Sequence, residues 1–319
     1  MRIALIGFGN VGRAFAALVE RKRAAFPFRI VGVHTRHGTA LDSAGISVAE
    51  QLGPPLPSVA EFLDRTRPEV AIEITTLTPE TGEPAISHIR SAFARGCHVV
   101  TANKGPIAHA YAALKEEARQ AGVEFRFEST VMDGAPVFNM VRNNLPGVKV
   151  LGFTGALNST TKIIVEAMRA GKSMQEGVRE AQEMGVAEAD ASYDVDGWDS
   201  AAKTAALANV LLNANARPQD VDRRGIRELT TEHIRELARK EKTIVLVSRG
   251  ETTSQGIRLR VQPEVLDQTD VMAAVQGTSN ILLLHTDLMG TVGTVSIAPG
   301  VQQTAYGVFS DVVDVAKSL

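Results

Sequence analysis

Three glycines near the N-terminus have the spacing of a phosphate-binding loop. Gly7, Gly9 and Gly12 form a G-x-G-x-x-G pattern, with Asn10 and Val11 between the second and the third glycine. In such a loop the first glycine permits a tight turn, the second lets a pyrophosphate approach the backbone, and the third lets a helix pack closely on a strand. Free N–H groups at the start of that helix attract negative charge. The spacing predicts a dinucleotide site, and a glycine-rich turn without a ligand is the alternative.

The end of the second predicted strand bears on which dinucleotide binds. The residues there, Thr35, Arg36 and His37, include no Asp or Glu that could bind the ribose 2′-hydroxyl of NAD. An arginine at this place accommodates the 2′-phosphate of NADP. We therefore predict NADP in preference to NAD. The alternative for Arg36 is an ordinary solvated side chain at a strand end.

Two lysines are candidates for proton chemistry. Lys104 follows a predicted strand and should lie at the carboxyl edge of the sheet, where ligands of open α/β sheets bind. Lys203 lies four residues after Asp199 and shares a helix face with it. Such a lysine can give or take an alcohol proton while the acid orients it. The alternatives are a loop lysine in water and a surface ion pair worth only about 0.2–0.5 kcal/mol.

The elements that carry these residues alternate between strand and helix up to about residue 130. Apolar runs predict strands at 2–6, 28–33, 70–74, 98–101 and 123–127. Helical spacing of apolar residues appears at 13–25, 58–65, 84–95 and 107–121. This alternation predicts a parallel sheet with helices on both faces, a doubly wound Rossmann-type α/β fold.

The pattern changes after about residue 130. Helices are predicted at 160–171, 173–184, 199–213 and 231–240. Strands now cluster late, at 148–156, 243–248, 256–261, 279–286 and 293–297. We predict a dinucleotide-binding domain in 1–130 and a second, α+β domain in 131–303. A closing helix at 304–319 is predicted to return to the first domain.

Composition excludes several classes of protein. The net charge is −2 with scattered Lys and Arg, which disfavours a nucleic-acid partner. No apolar run approaches the roughly 18 to 20 residues that span a bilayer, so no membrane partner is expected. A single cysteine, Cys97, excludes an internal disulfide framework and fits a reducing compartment. We therefore predict a cytoplasmic protein that acts on a small molecule.

Four segments occur in the order found in one enzyme family. They are EITTLTPETGEP at 73–84, TANKGP at 101–106, AEAD at 187–190 and DGWDSAAK at 196–203. Together they resemble homoserine dehydrogenase, in its short form without a C-terminal regulatory domain, across nearly the whole chain. The resemblance implies interconversion of L-homoserine and L-aspartate 4-semialdehyde, a step in threonine and methionine biosynthesis. It also implies a homodimer whose sheet lies in the substrate domain.

The resemblance assigns roles to individual residues of the substrate site and the cofactor site. Lys203 matches the proposed proton donor, and Lys104 matches the lysine that contacts cofactor and substrate. The substrate-binding positions it implies are Glu188, Asp194, Asp199 and Thr160. Thr75 and Thr76 would line the nicotinamide side, and Gly300 belongs to the C-terminal glycine loop that contacts the cofactor.

The resemblance further implies a monovalent cation such as sodium. The matching ligand positions are Glu128, Val131, Asp133 and Ala135. Oxygen ligands of this kind, largely backbone carbonyls, suit a hard cation. A structural loop that holds no ion is the alternative.

Several positions depart from the family pattern and leave the substrate open. Asp133 replaces a glycine, Ser159 and Lys162 alter an NGTTN motif, and Val186 replaces an aromatic residue. One alternative is a related NAD(P)-dependent dehydrogenase for another small polar hydroxy or amino acid. Another is a non-catalytic nucleotide-binding regulator. A thiol-dependent semialdehyde dehydrogenase is disfavoured, because Cys97 precedes an apolar run and is expected to be a packing residue.

Overall fold

The computed structural model describes residues 1–47 and 51–319 and divides them into two compact units. Unit 1 comprises Met1–Asn139 and Gly300–Leu319, and unit 2 comprises Met140–Pro299. Residues 131–139, which the sequence pattern assigns to the second domain, thus belong to unit 1. They do so because the buried Glu128 carboxylate accepts hydrogen bonds from the backbone of 137–139.

Unit 1 contains a six-stranded sheet in the order β3-β2-β1-β4-β5-β6. Its strands are β1 (Arg2–Ile6), β2 (Arg29–Thr35), β3 (Gly38–Leu41), β4 (Val70–Glu73), β5 (His98–Thr101) and β6 (Phe125–Arg126). Its helices include α1 (Asn10–Lys22), α2 (Val59–Thr66), α3 (Ala85–Phe93) and α4 (Lys104–Ala121). All strands but β3 are parallel, and the strand order reverses between β1 and β4. Ligands of doubly wound sheets bind at such a switch point.

Unit 2 contains a second six-stranded sheet in the order β12-β11-β7-β9-β10-β8. Its strands are β7 (Val150–Ala156), β8 (Asp222–Arg223), β9 (Lys242–Thr253), β10 (Gly256–Asp267), β11 (Asn280–Thr286) and β12 (Thr291–Ser296). Its helices are α5 (Ser159–Arg169), α6 (Met174–Glu183), α7 (Ser192–Val195), α8 (Trp198–Leu211) and α9 (Thr231–Arg239). Only β8 runs parallel to its neighbour. The predicted α/β fold class is confirmed.

The chain ends in α10 (Val301–Ser318), which packs in unit 1 against α1. Phe309 of this helix lies within an aromatic cluster, with ring centroids 5.3 Å from Phe26 and 5.7 Å from Phe28. Val308 and Val312 are fully buried in the same core. The apolar face of α10 therefore packs the C-terminal helix into the core of unit 1.

Side-chain caps explain where several helices begin. Asn103 accepts a hydrogen bond from the backbone N–H of Gly105, which starts α4 three residues before the predicted 107–121. Asn158 caps α5, and Ser173 forms a capping box at α6. The sequence pattern missed β3, because Gly38–Leu41 is a short edge strand with little apolar periodicity. In the described part of the chain, no helix combines the length and apolar character that a membrane crossing requires.

Candidate active site

The first glycine of the loop has a backbone that only glycine accommodates. Gly7 has φ +105°, and a Cβ atom there would lie 2.5 Å from the carbonyl oxygen of Ile74. The N–H of Gly7 donates to the carbonyl of His34 at 2.8 Å. The turn is therefore wedged between the ends of β1, β2 and β4, at the point where the strand order reverses.

The second and third glycines serve different purposes. Gly9 is the N-cap of α1 with no side-chain cap, and a Cβ there would meet no atom within 4 Å. Gly12 is packed tightly, since its Cβ would lie 3.1 Å from Ile74 Cδ1 and 3.2 Å from the Gly7 carbonyl oxygen. Open space in front of an uncapped helix N-terminus fits a pyrophosphate, and Asn10 and Val11 begin that helix. The loop thus fits the nucleotide that the sequence predicted.

Arg36 lies in a tight hairpin turn between β2 and β3. The hydroxyl of Thr35 accepts hydrogen bonds from the N–H groups of His37 and Gly38, both at 3.1 Å. The exposed Arg36 side chain donates through Nε to Nε2 of His37 at 2.8 Å. The hairpin places Arg36 and His37 side by side at the carboxyl end of β2.

A buried glutamate connects the ends of β4 and β5. The Glu73 carboxylate, 1% exposed, accepts from the backbone N–H of Thr75 at 3.1 Å and from its hydroxyl. The hydroxyl of Thr101 donates to the same carboxylate at 3.1 Å. Asn103 donates to the carbonyl of Thr75 at 3.4 Å, and Lys104 begins α4 directly after it. Thr75 and Lys104 are thus brought to one sheet edge, a role for Glu73 that sequence reasoning missed.

Lys203 and Asp199 in unit 2 form the predicted pair. Lys203 Nζ lies 2.9 Å from Asp199 Oδ2 and donates to the carbonyl of Leu157 at 2.7 Å. The side chains are only 16% and 12% exposed, respectively. Because it is sheltered, the pair is not the solvated surface pair that was the alternative. Water screens its attraction far less than that of an exposed pair.

Asn158 links this pair to a second carboxylate. Its amide nitrogen donates to Asp194 Oδ1 at 2.6 Å and to Asp199 Oδ2 at 3.0 Å. Burial and then the negative charge of Asp199 raise the pKa of Asp194, whereas Asn158, Lys203 and Thr160 act in the opposite direction. Asn158 carries no predicted role, although an asparagine directly before a helix was a visible capping signal.

The corner between α7 and α8, which carries both acids, is held by an arginine and an aromatic ring. The Arg223 guanidinium stacks on Trp198 at 3.7 Å from the ring centroid and donates to the carbonyl of Asp196. The carboxylate of Asp196 pairs with Arg227 at 2.6 Å. Asp196 therefore has a cationic partner of its own.

Glu188 and Thr76 lie outside the hydrogen-bonded clusters described above. Glu188 is exposed after α6, and its backbone carbonyl accepts from the Gln182 amide at 3.0 Å. Thr76 is exposed beyond β4. Gly300 is the N-cap of α10, and its N–H donates to Gln303 Oε1 at 3.0 Å. Their predicted contacts with substrate or cofactor stay predictions.

The loop predicted to hold a cation is clasped within unit 1. The Glu128 carboxylate, in a residue 2% exposed, accepts from the N–H groups of residues 137, 138 and 139 at 2.6, 2.9 and 2.5 Å. Asp133 has φ +56°, and the Thr304 hydroxyl lies 3.4 Å from its Oδ1. Val131 is buried and Ala135 is half-buried. A cation here would compete with these backbone N–H donors for the Glu128 carboxylate. Among the described residues, no cluster of three or more His, Cys, Asp or Glu could hold a metal.

Comparison with known proteins supports the same reading of the two units. The family "Homoserine dehydrogenase, NAD binding domain" matches residues 7–128, and "Homoserine dehydrogenase" matches residues 136–313. An NAD(+)-dependent homoserine dehydrogenase from Pseudomonas canavaninivorans is 33% identical over 99% of this chain and 96% of its own length.

Solved structures agree with the sequence relatives. A homoserine dehydrogenase from Thiobacillus denitrificans superposes with a TM-score of 0.88 at 28% identity, covering 99% of this chain and 73% of that one. A hyperthermophilic archaeal homoserine dehydrogenase in complex with NADPH has a TM-score of 0.83 at 27% identity, covering 100% and 98% of the two chains. The resemblance predicted from the four motifs is confirmed: the chain belongs to the homoserine dehydrogenase family, as an NAD(P)-dependent oxidoreductase that acts on a CH–OH group.

Proposed function

We propose that this chain interconverts L-homoserine and L-aspartate 4-semialdehyde with a nicotinamide dinucleotide. The observation that carries the proposal is the sheltered Asp199–Lys203 pair, in which Lys203 Nζ is held by a carboxylate at 2.9 Å and a carbonyl at 2.7 Å. These two fixed acceptors orient the Lys203 ammonium group. A side chain that donates and accepts a proton during a reaction must be oriented in this way. The names of the relatives supply the substrate.

Lys203 has a defined part in each direction of the proposed reaction. In oxidation its neutral amine takes the proton of the substrate hydroxyl, while Asp199 keeps the amine in place. In reduction its ammonium form donates a proton to the alkoxide that forms. The bound nicotinamide supplies or accepts the hydride. Asp194 and Asp199 together attract the cationic ammonium of an amino-acid substrate, and we assign Glu188 and Thr160 to substrate binding with them. Lys104, at the carboxyl edge of the sheet in unit 1, we assign to the cofactor.

We propose NADP as the favoured cofactor. Arg36 and His37 lie adjacent in the turn that ends β2, and the turn sequence itself contains no Asp or Glu that would repel a 2′-phosphate. One structural neighbour binds NADPH, whereas one sequence relative is named as NAD(+)-dependent. The ratio of kcat/KM with NADP to kcat/KM with NAD measures the preference. Arg36→Ala should lower kcat/KM with NADP and have little effect on kcat/KM with NAD.

We also propose a monovalent cation in the loop of residues 128–136, a homodimer, and a cytoplasmic location. The clasped loop with a positive φ at Asp133 supports the cation proposal, because it turns backbone carbonyls away from regular secondary structure. Exposed apolar side chains on the strands of unit 2 support a second copy, since Leu151, Val265 and Val295 are 39%, 48% and 48% exposed. Light scattering after size exclusion tests the dimer, and activity across sodium and potassium concentrations tests the cation.

The alternative, a related dehydrogenase for another small polar hydroxy or amino acid, rests on the departures Ser159 and Lys162. Their side chains contact the 278–280 segment instead, with Ser159 donating to the Thr278 carbonyl and Lys162 to the Asn280 side chain, both at 3.0 Å. The residues that contact the acids, Asn158 and Thr160, are retained. The departures therefore leave the acidic cluster intact.

One assay decides between these substrates. Purified protein is given NADP or NAD with homoserine, serine, threonine or 4-hydroxybutyrate, and the absorbance of the reduced cofactor is followed. We expect turnover with homoserine and at least tenfold less with each of the others. Turnover with another hydroxy acid but not with homoserine would favour the alternative, and cofactor binding without any turnover would favour the non-catalytic regulator.

A further inference from the structure

We propose that Asn158 is a positioning residue whose amide lets Asp194 and Asp199 stand together as two carboxylates on one side of the substrate site. The inference rests on the proposed function. It concerns how the acidic cluster is kept competent for a cationic substrate.

The orientation of the Asn158 amide is fixed by its role as a helix cap. Its oxygen accepts from the backbone N–H of Thr161 at 2.8 Å, so the oxygen must face the start of α5. The nitrogen then faces Asp194 and Asp199. The flipped amide would point an oxygen at two carboxylates and a nitrogen at an N–H, both repulsive arrangements.

The two N–H bonds of this amide are both used on carboxylates. One hydrogen serves Asp194 Oδ1 at 2.6 Å, and the other serves Asp199 Oδ2 at 3.0 Å. Two carboxylates that share one donor repel each other, and in the absence of donors one of them keeps a proton. Hydrogen bonds to the charged form favour that form. The amide thus offsets the burial and the charge of Asp199, which push the pKa of Asp194 upward.

The other charged groups near the acids are engaged elsewhere or belong to the same cluster. Lys203 on α8 pairs with Asp199, and Lys162 on α5 donates to Asn280. Asp196, beside α7, pairs with Arg227. Asn158 is therefore a neutral donor that, with the Thr160 side chain at Asp194, offsets the repulsion and leaves both negative charges available to a substrate ammonium.

Two variants separate the role of Asn158 as a helix cap from its role as a donor to the two carboxylates. Asn158→Ser keeps an oxygen that can cap α5 but removes both N–H donors, and Asn158→Asp also keeps a cap while adding a charge. We expect Asn158→Ser to bind the cofactor as the wild type does and to lose at least about tenfold in kcat/KM for homoserine near neutral pH. The acid limb of its pH profile of kcat/KM should move up by about one pH unit, because the two carboxylates stay protonated up to a higher pH. Asn158→Asp should lose more, about a hundredfold.

A matched control measures the cost of losing a cap alone. Thr230 caps α9 in the same unit, accepting from the N–H of His233 at 3.2 Å. Thr230→Ala should lower the melting temperature without moving the acid limb. If Asn158→Ser behaves in the same way, with an unshifted pH profile, Asn158 is only a cap and the inference is wrong.

A second measurement does not depend on turnover. Carbon-13 NMR of aspartate-labelled protein follows the titration of Asp194, whose signal is assigned by its loss in Asp194→Asn. Asn158→Ser should raise the titration midpoint of that signal. An unchanged midpoint overturns the inference even if homoserine proves not to be the substrate, whereas a raised midpoint without homoserine turnover would count against the proposed function alone.

Discussion

The two units each bury carboxylates, and they satisfy them mainly with different donors. In unit 1 the Glu128 carboxylate accepts from three consecutive backbone N–H groups, and Asp311 accepts from the Glu128 N–H at 2.8 Å and the Asn139 amide at 3.1 Å. In unit 2, Asp194 and Asp199 take their bonds from side chains, above all Asn158 and Lys203.

The difference teaches which buried acid serves structure and which serves chemistry. Backbone donors have fixed positions and cannot change their protonation state, so an acid that they surround is locked as a charged, satisfied group. Side-chain donors can move and yield to a ligand, and one of them, the Lys203 ammonium, can also exchange a proton. Burial alone does not separate the two cases, because Glu128 and Asp199 are both buried residues.

The largest effect is expected from Lys203→Ala. Removing the group that exchanges the substrate proton should lower kcat by about 100- to 10,000-fold. Cofactor affinity should stay unchanged, since the glycine loop lies in unit 1. Steady-state kinetics with homoserine and cofactor fluorescence titration measure the two quantities.

Another lysine–aspartate pair provides the control for Lys203. Lys242 and Asp267 are also 2.9 Å apart, but their side chains are 41% and 69% exposed. Lys242→Ala should leave kcat within about twofold, because exposed pairs contribute little. Near-normal turnover in Lys203→Ala would remove the chemical role that the comparison assigns to unit 2.

The next largest effect is expected from Glu128→Gln. A glutamine amide offers one acceptor oxygen where the carboxylate has two, so at least one buried N–H loses its partner. The free energy of unfolding should fall by about 1–3 kcal/mol, measured by urea denaturation. Glu61→Gln is the control, because Glu61 forms an exposed pair with Arg65 and should change stability by less than about 0.5 kcal/mol. Unchanged stability in Glu128→Gln would mean that the hydrogen bonds from backbone N–H groups to Glu128 do not stabilise the fold.

Sequence reasoning reached the parts of the site that local chemistry specifies. The spacing of Gly7, Gly9 and Gly12 encodes a turn, an open approach and a tight packing contact, each found in the structure. The pair Asp199 and Lys203 follows from the helical repeat alone. The main strands were predictable for the same reason, since a buried parallel strand reads as a continuous apolar run.

Long-range contacts account for what sequence reasoning missed. Glu73 acquires its role only when β4 and β5 become neighbours, which brings Thr101 to its carboxylate. Asn158 is 36 residues before Asp194, and nothing local pairs them. The strands β9 and β10 were predicted too short, at 243–248 and 256–261, because polar residues continue a hairpin that pairs from Lys242 to Asp267.

A smaller effect, with opposite sign in the two units, is expected from two Asp→Asn variants. The pKa of Asp194 is raised in the folded protein, so its stabilising contribution is present at acid pH and is lost as the pH rises through the raised pKa. Asp194→Asn should therefore gain about 0.5–1 kcal/mol of stability near pH 7, while losing activity. The gain should vanish on acidification.

The matched variant Asp311→Asn should lose stability near neutral pH. Its side chain is fully buried and accepts two hydrogen bonds, and an amide can place an acceptor opposite only one of those donors. We expect a loss of about 1–2 kcal/mol. Urea denaturation of both variants across pH measures the pair, and a common sign would contradict the contrast between the structural acids of unit 1 and the acidic cluster of unit 2.

The smallest effect is expected at Asp133, inside the clasped loop of unit 1. Its φ of +56° is left-handed, a conformation that glycine adopts without the steric cost that a side chain carries. Asp133→Gly should therefore gain up to about 1 kcal/mol, reduced by the loss of its contact with Thr304 and by the greater freedom of glycine in the unfolded chain. Asp133→Ala separates these terms, because it loses the contact and keeps the strain, and it should be the least stable of the three proteins. Unfolding free energies that are equal, or higher for the alanine variant, would contradict the prediction, because relief of the positive φ would then not exceed the entropic cost of glycine.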